Sequence, residues 1–305
     1  MSLTQRAARP RRMPAALRQA GAFAKEFAQS PGAVIGATVF LLAALGAIFA
    51  PWIAVQDPYD LASLSILDAR LAPGESSFDG TVHILGTDGL GRDMYSAILY
   101  GLRISLMVGA LSAVVALAIG TVLGLIAAYA GGRTDAALMR IVDLQMSFPA
   151  ILIALILLAV LGRGADKTMI ALIAVQWAYY ARTVRASALV EREREYVEAA
   201  RCLRLGHMRI MLAHLLPNCF APLLVVVTVQ MASAITLEAT LSFLGVGLPE
   251  TQPSLGLLIA NGYQYLLSGA YWISIYPGVA LLVVIMSINL VGDRLRDLLN
   301  PALRR

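Results

Sequence analysis

Charge is scarce in this sequence. Asp, Glu, Lys and Arg make up 14% of its 305 residues, where a soluble domain carries about a quarter. That deficit excludes an ordinary soluble globular chain. Lysine is nearly missing: the 24 basic residues are Lys25, Lys167 and 22 arginines. A net charge of +5 built this way reports membrane topology, not a nucleic-acid footprint. Two cysteines, Cys202 and Cys219, build no disulfide framework. Cys202, His207, His214 and Cys219 form a set whose spacing matches no structural zinc pattern. His83 is the one remaining histidine, so a catalytic metal site is not expected. A phosphate-binding loop is lacking too. Gly86, Gly89 and Gly91 imitate one, but no Gly-Lys-Ser/Thr follows; they read as a turn, and the chain is not expected to bind ATP or to be an enzyme. The sequence has no internal repeat and no low-complexity tract.

What is present is apolar: 59% of residues are hydrophobic and the mean hydropathy is +0.73. A helix that crosses a bilayer needs roughly 20 apolar residues. The runs 32–55, 104–130, 144–162, 219–237 and 272–292 meet that need, the third despite Pro149 near its start. A sixth, 169–181, spans only if its helix continues past Arg182 and Arg185 with those side chains snorkelling to the interface. The uncharged run 253–269 is short, contains Asn261, Gly262 and Gln264, and reads as interfacial or re-entrant. The first run is too long for a signal-peptide core and lacks a small-residue cleavage site, so it is read as a retained span.

Orientation follows from the basic residues. With six spans and the N-terminus inside, 19 Lys and Arg lie inside, and Arg70, Arg92, Arg103, Arg163 and Lys167, five in all, lie outside. A seventh span over 253–269 would put Arg294, Arg296, Arg304 and Arg305 outside. The expected fold is therefore an all-α integral membrane protein of six transmembrane helices with both termini cytoplasmic. Its parts are a basic tail (1–30), a span plus extracytoplasmic segment (31–100), a five-helix bundle interrupted by a polar loop (101–295) and a short tail (296–305).

That loop, between the fourth and fifth spans, is the most informative stretch. Residues 191–203 are rich in helix formers, and Arg194, Glu198 and Arg201 are spaced to meet on one face. Gly206 is placed to cap this helix. A second short helix fits 207–216, closed by Pro217, with Asn218 capping the next span. Ala199 and Ala200 leave a smooth face on which another backbone can pack. By pattern alone the loop is either a docking element or a plain solvated connector. Glu238 is the one carboxylate placed inside a span. It either faces a pathway, or hydrogen-bonds to a neighbouring helix or sits near the outer interface. Asp143, beside Arg140, reads as a helix-start acid at the cytoplasmic side.

Glu198-Ala199-Ala200 with Leu216-Pro217 resembles the EAA loop of binding-protein-dependent ABC importers. Further motifs are similar to C-type permease subunits of the dipeptide, oligopeptide and nickel importers. These are His83-Ile84-Leu85-Gly86-Thr87-Asp88, Gly91-Arg92-Asp93, Tyr100-Gly101-Leu102-Arg103-Ile104-Ser105-Leu106, Arg140-Ile141-Val142-Asp143 and Phe148-Pro149. Nearer the C-terminus come Glu238-Ala239-Thr240-Leu241-Ser242-Phe243-Leu244-Gly245, Pro253-Ser254-Leu255-Gly256, Gly292-Asp293-Arg294-Leu295-Arg296-Asp297 and Asn300-Pro301. The resemblance covers residues 30–303. Two positions depart from it: the family glycine of the loop falls at Arg204, two residues before Gly206, and a tryptophan is usual at Leu255.

The resemblance implies a type I ABC importer permease in a bacterial inner membrane, with residues 101–295 as its type 1 transmembrane domain. Glu198, Ala199, Ala200, Arg204, Gly206, Leu216 and Pro217 would couple it to the ATPase, and Glu238 would be a candidate pathway residue. It implies a homologous B-type permease, two ATP-binding subunits that carry ATP and Mg, an extracytoplasmic substrate-binding protein and membrane lipid as partners. No nucleic acid and no cofactor of its own are implied. Small peptides or a related solute would be the cargo. An ion-coupled secondary transporter is the alternative; such proteins tend to show several intramembrane charges and an inverted repeat. An integral-membrane enzyme would need a catalytic constellation at membrane depth, and the sequence offers none.

Overall fold

The computed structural model describes residues 24–60, 64–78, 80–252 and 254–299. Most of the expected basic tail (1–23), Pro253, and Asn300-Pro301 with the last arginines lie outside the described residues. Among the described residues the chain is helical, with isolated bridges Ser76–Val82 and Thr87–Asp93 as its β pairing.

Helix α1, Pro31–Ile48, begins at Ser30, whose hydroxyl accepts from the Ala33 N–H, with proline at the first position, where its missing donor is not needed. A single turn, Ala50–Ile53, leads to a long segment before the next long helix, whose described residues are mostly turns with one 3-10 turn at Ile66–Asp68. Gly86 and Gly91 sit in it at φ 78°, left-handed turn positions, so the glycine cluster is a set of turns. The segment is pinned by the buried Arg92–Asp88 pair at 2.6 Å and by the Trp272 indole, which donates to the Thr87 carbonyl at 3.1 Å.

Helix α2, Met94–Ala130, has 37 residues and is about 55 Å long, far beyond the ~30 Å hydrocarbon layer. Asp93 caps it, accepting from the Ser96 amide at 2.8 Å and hydroxyl at 2.6 Å. Helices α3, Gly132–Met146, and α4, Ala150–Leu161, follow at an angle of 89°. The expected straight span 144–162 is thus broken, because proline disfavours helical backbone in the residue before it and offers no N–H to the preceding turn. The unbroken apolar part, α4, has 12 residues, about 18 Å, too short to cross alone.

Helix α5, Ala165–Arg192, carries the run 169–181 well past Arg182 and Arg185. Those arginines do not merely snorkel. Arg182 pairs with Asp143 and Arg185 with Asp135, tying α5 to α3. Asp143 accordingly lies in the last turns of α3 and not at a helix start. Then come α6, Glu195–Cys202; α7, His207–Phe243; the short α8, Leu255–Tyr263; and α9, Trp272–Leu299. Among the described residues four helices, α1, α2, α7 and α9, are long and apolar enough to span, and the bent pair α3/α4 makes a fifth if it is one span. Helix α5, at 28 residues, is long enough but too polar for a plain apolar span, so six is reached only by counting it on length. The run 253–269 contributes the nine-residue α8, too short to cross.

The bundle turns on the α2–α5 seam. A Cβ on Gly120 would lie 2.5 Å from the Trp177 carbonyl, and one on Gly124 2.5 Å from that of Ala181. Glycines four apart let two helix backbones touch where lipid gives no hydrophobic drive for association. Gly124→Leu is expected to cost about 1–3 kcal/mol or more through overpacking, seen as a lower melting temperature of the purified chain. An unchanged melting temperature would contradict the seam.

Candidate functional site

The polar loop is built as two arms on a common floor. Helix α5 ends at Arg192, the chain breaks at Glu193-Arg194, and α6 starts afresh, so 191–203 is not one helix as the composition suggested. Arg194 turns back to Glu191 at 3.8 Å, and the Arg201 guanidinium lies over the Tyr129 ring, 5.8 Å from its centroid. The expected Arg194–Glu198–Arg201 ladder is replaced by these contacts.

Helix α6 is strongly two-faced. Val197 and Ala200 are buried in an apolar cluster with Leu125, Ala128, Val184, Ala188, Ile210 and Leu215 of the same chain, while Glu198, Ala199 and Arg201 are exposed. Ala199 and Ala200 therefore do not form one outward face: Ala200 seats the helix on its own bundle and Ala199 looks away. Leu203, 75% exposed, is an uncovered leucine at the end of the helix.

The turn after α6 resolves the displaced glycine. Arg204, at the family glycine position, has φ 53°. Its N–H donates to Arg201 O at 2.9 Å, and the Leu205 N–H reaches back to Ala200 O at 3.1 Å. These two bonds are the Schellman pattern, with Leu205 closing over the buried cluster. Gly206 is not the cap. It is extended, at φ −60° and ψ 145°, and precedes α7. An arginine in the left-handed region pays about 1 kcal/mol that glycine does not. Arg204→Gly should therefore strengthen this turn, raising hydrogen-exchange protection of the Leu205 amide about fivefold; equal or lower protection would refute the strain.

Pro217 does not close the second arm either. A π turn over Met211–Leu215, in which the Leu216 N–H donates to Met211 O, re-phases the helix. Pro217 then falls in the first turn of the Leu216–Phe243 stretch, where a missing donor is tolerated, and α7 runs on. Asn218 caps nothing; its side-chain nitrogen donates to Tyr196 Oη at 2.9 Å and to His214 O at 2.8 Å.

Tyr196 is the residue that sequence reasoning missed. Its hydroxyl donates to Glu191 Oε2 at 2.6 Å while accepting from Asn218, so one oxygen joins the end of α5, α6 and α7. Burial, helped by the hydrogen bond to Glu191, pushes this phenol up to about 12, so it stays a donor at neutral pH. A tyrosine beside Glu-Ala-Ala gave no periodic signal. Cys202 is exposed and Cys219 buried, His207 bonds to Tyr129 Oη at 2.6 Å, and His214 to Arg209 O at 3.3 Å.

Glu238 lies elsewhere, about 33 Å along α7 from Leu216. It is fully buried inside this chain, accepting from Ser105 Oγ at 2.7 Å and Ser242 Oγ at 2.9 Å. The carboxylate joins α7 to α2 and opens onto no surface of the subunit. Glu238→Ala should cost about 2–3 kcal/mol by stranding buried hydroxyls, and Glu238→Gln much less. Equal melting temperatures for the two variants would count against this bridge.

Helices with these lengths, a broken third span and a two-armed polar loop define a helical membrane protein. Residues 120–305 match the binding-protein-dependent transport system inner membrane component family, and residues 19–73 match the N-terminal transmembrane domain of oligopeptide transport permease C. Similar proteins include a putative peptide transport system permease of Brucella suis biovar 1, 43% identical over 270 residues and 88% of each chain. Another is the di/tripeptide transport system permease DppC of Pseudomonas aeruginosa, 38% identical over 283 residues and 92% of each. The dipeptide permease DppC of Escherichia coli K12 is 40% identical over 280 residues and 92% of each. A chain of the inward-facing MetNI methionine ABC transporter has the same fold, with a TM-score of 0.56 at 21% identity over 68% of this chain and 98% of that one. The chain belongs to the binding-protein-dependent transport system inner membrane components, as a C-type permease subunit of an ABC importer. It is a transport subunit and not an enzyme, and the ion-coupled alternative is left without support.

Proposed function

We propose that this subunit forms half of a translocation path for small peptides and that the 195–218 loop couples it to ATP hydrolysis on separate subunits. The feature that carries the reading is the division of α6 into a seated face and a presented face. Val197 and Ala200 anchor it to the bundle, while Glu198, Ala199 and Leu203 point outward. A helix with an exposed leucine and an alanine beside it is shaped for a cleft of a soluble partner, and its seat links that partner's motion to α2, α5 and α7. Arg204, Gly206, Leu216 and Pro217 set the angle between the two arms.

On this reading two ATP-binding subunits, which hold ATP and Mg, dock below. A homologous B-type permease completes the path, and an extracytoplasmic binding protein delivers cargo. Both termini and the loop are cytoplasmic, in keeping with the arginine bias. Residues 1–30 are the cytoplasmic tail, 31–100 a span with its extracytoplasmic segment, 101–295 the transmembrane domain and 296–305 a second tail. Peptide cargo is carried over from the names of the relatives. Glu238 serves as an interhelical tie and not as a pathway group.

The test separates the two faces of α6. Leu203→Arg places a charge on the presented side, and the chain should insert and fold normally but lose most of its ATPase subunits on co-purification, with transport lost. Ala200→Arg strikes the seated side and should lower the chain's own melting temperature, since an unpaired buried charge costs several kcal/mol. ATPase retention and transport at wild-type levels in Leu203→Arg would overturn the coupling role.

A further inference from the structure

Beside the loop's turn lies a cavity of about 730 Å³ lined by Tyr129, Arg192, Arg201, Arg204, Leu205, Gly206, His207 and Ile210. Its size is in the range of small-molecule sites, roughly 300–1,000 Å³. Its charge is one-sided: three guanidinium groups and an imidazole line it, and no carboxylate does. Arg192 is partly committed, donating to Ala128 O at 2.8 Å and to Glu193 Oε1 at 3.3 Å. Arg201 and Arg204 are not; among the described residues neither side chain has a hydrogen bond or ion pair, and Arg201 only stacks on Tyr129. His207 is held in place by its 2.6 Å bond to Tyr129 Oη. Arg204 lines it from a left-handed conformation that glycine would hold without strain, so the position carries a guanidinium where the backbone asks for none.

We infer that this cavity binds a phosphate group, with Arg201 and Arg204 as its ligands and Arg192 and His207 supporting the field. Two uncommitted planar forks over an acid-free hollow match a tetrahedral oxyanion, which takes charge-assisted bonds from both. Two sources supply that chemistry: the headgroup of an anionic phospholipid, and a soluble phosphate. The walls are the C-terminal ends of two long helices, Tyr129 on α2 and Arg192 on α5, and basic pockets between membrane helices on the cytoplasmic side are a general way of holding lipid headgroups. The lipid source rests on the reading that the loop is cytoplasmic; the phosphate site itself does not.

Native mass spectrometry of the full-length chain purified from membranes tests this. Wild type, exchanged from mixed phosphatidylglycerol and phosphatidylcholine, should retain phosphatidylglycerol selectively. Arg204→Gly should reduce retention about tenfold, the worth of one charge-assisted contact. Because glycine suits this backbone, the loss cannot be ascribed to misfolding, and Arg201→Gln should act alike. Leu203→Arg should keep full retention, which separates this site from the docking reading. If the lipid is not retained but millimolar inorganic phosphate protects the delipidated wild type against heat, and not Arg204→Gly, the site stands with a soluble source. Equal retention of both lipids, or variants that match wild type in both measurements, would overturn the inference. So would absence of either phosphate form from wild type with ATPase binding weakened by Arg201→Gln, which would assign the cavity to an acidic side chain of the partner.

Discussion

Everything in this subunit hangs on the close approach of α2 and α5. In lipid, two apolar helices gain nothing by hiding hydrophobic surface from water, so association rests on dispersion between surfaces that fit. Gly120 and Gly124 remove the atoms that would hold the backbones apart. Below them the same seam continues through Ala128 and Ala188 into the cluster that seats Val197 and Ala200. The membrane core and the polar loop are one packed body, and a displacement of α6 has no soft layer in which to dissipate.

Polar groups work inside this body as fasteners. Glu238 would be expensive at depth if unpartnered, and serine hydroxyls from α2 and from its own helix surround it. Arg182 and Arg185 find Asp143 and Asp135 on α3, which lets α5 extend past the bilayer without leaving bare charges. Tyr196 closes the loop the same way, with one hydroxyl shared by three segments. Each device places a polar side chain where two helices must keep a fixed register.

The two arms of the loop differ in kind. Helix α6 is short and seated, held at its end by a turn that strains Arg204. The second arm has no end of its own; it is the first part of α7, joined through a π turn. A load applied at the loop thus enters a transmembrane helix directly on one side and the α2–α5 seam on the other. The cavity between the turn and the helix ends sits where these routes meet.

By itself the sequence determined the class and much of the layout. Composition forced a membrane protein, long apolar runs placed α1, α2, α7 and α9, and Glu198-Ala199-Ala200 with Leu216-Pro217 pointed to the loop. These features are local, written in hydropathy and motif spacing. Tertiary structure alone decided the rest. Pro149 within an apolar run reads as a tolerable kink, whereas the structure has a full 89° break there, with α3 tied to α5 by the Arg182–Asp143 and Arg185–Asp135 pairs. Gly206 looked like the cap because glycine is the residue that tolerates left-handed backbone, yet α6 ends at Cys202, which puts that conformation at Arg204. Pro217 looked like a stop because a π turn leaves no mark in sequence. Ala199 and Ala200 are neighbours in the chain but 100° apart on a helix, so which one is buried depends on the surface beneath, and that surface combines Val184, Ala188, Ile210 and Leu215 with Leu125 and Ala128, more than 70 positions away.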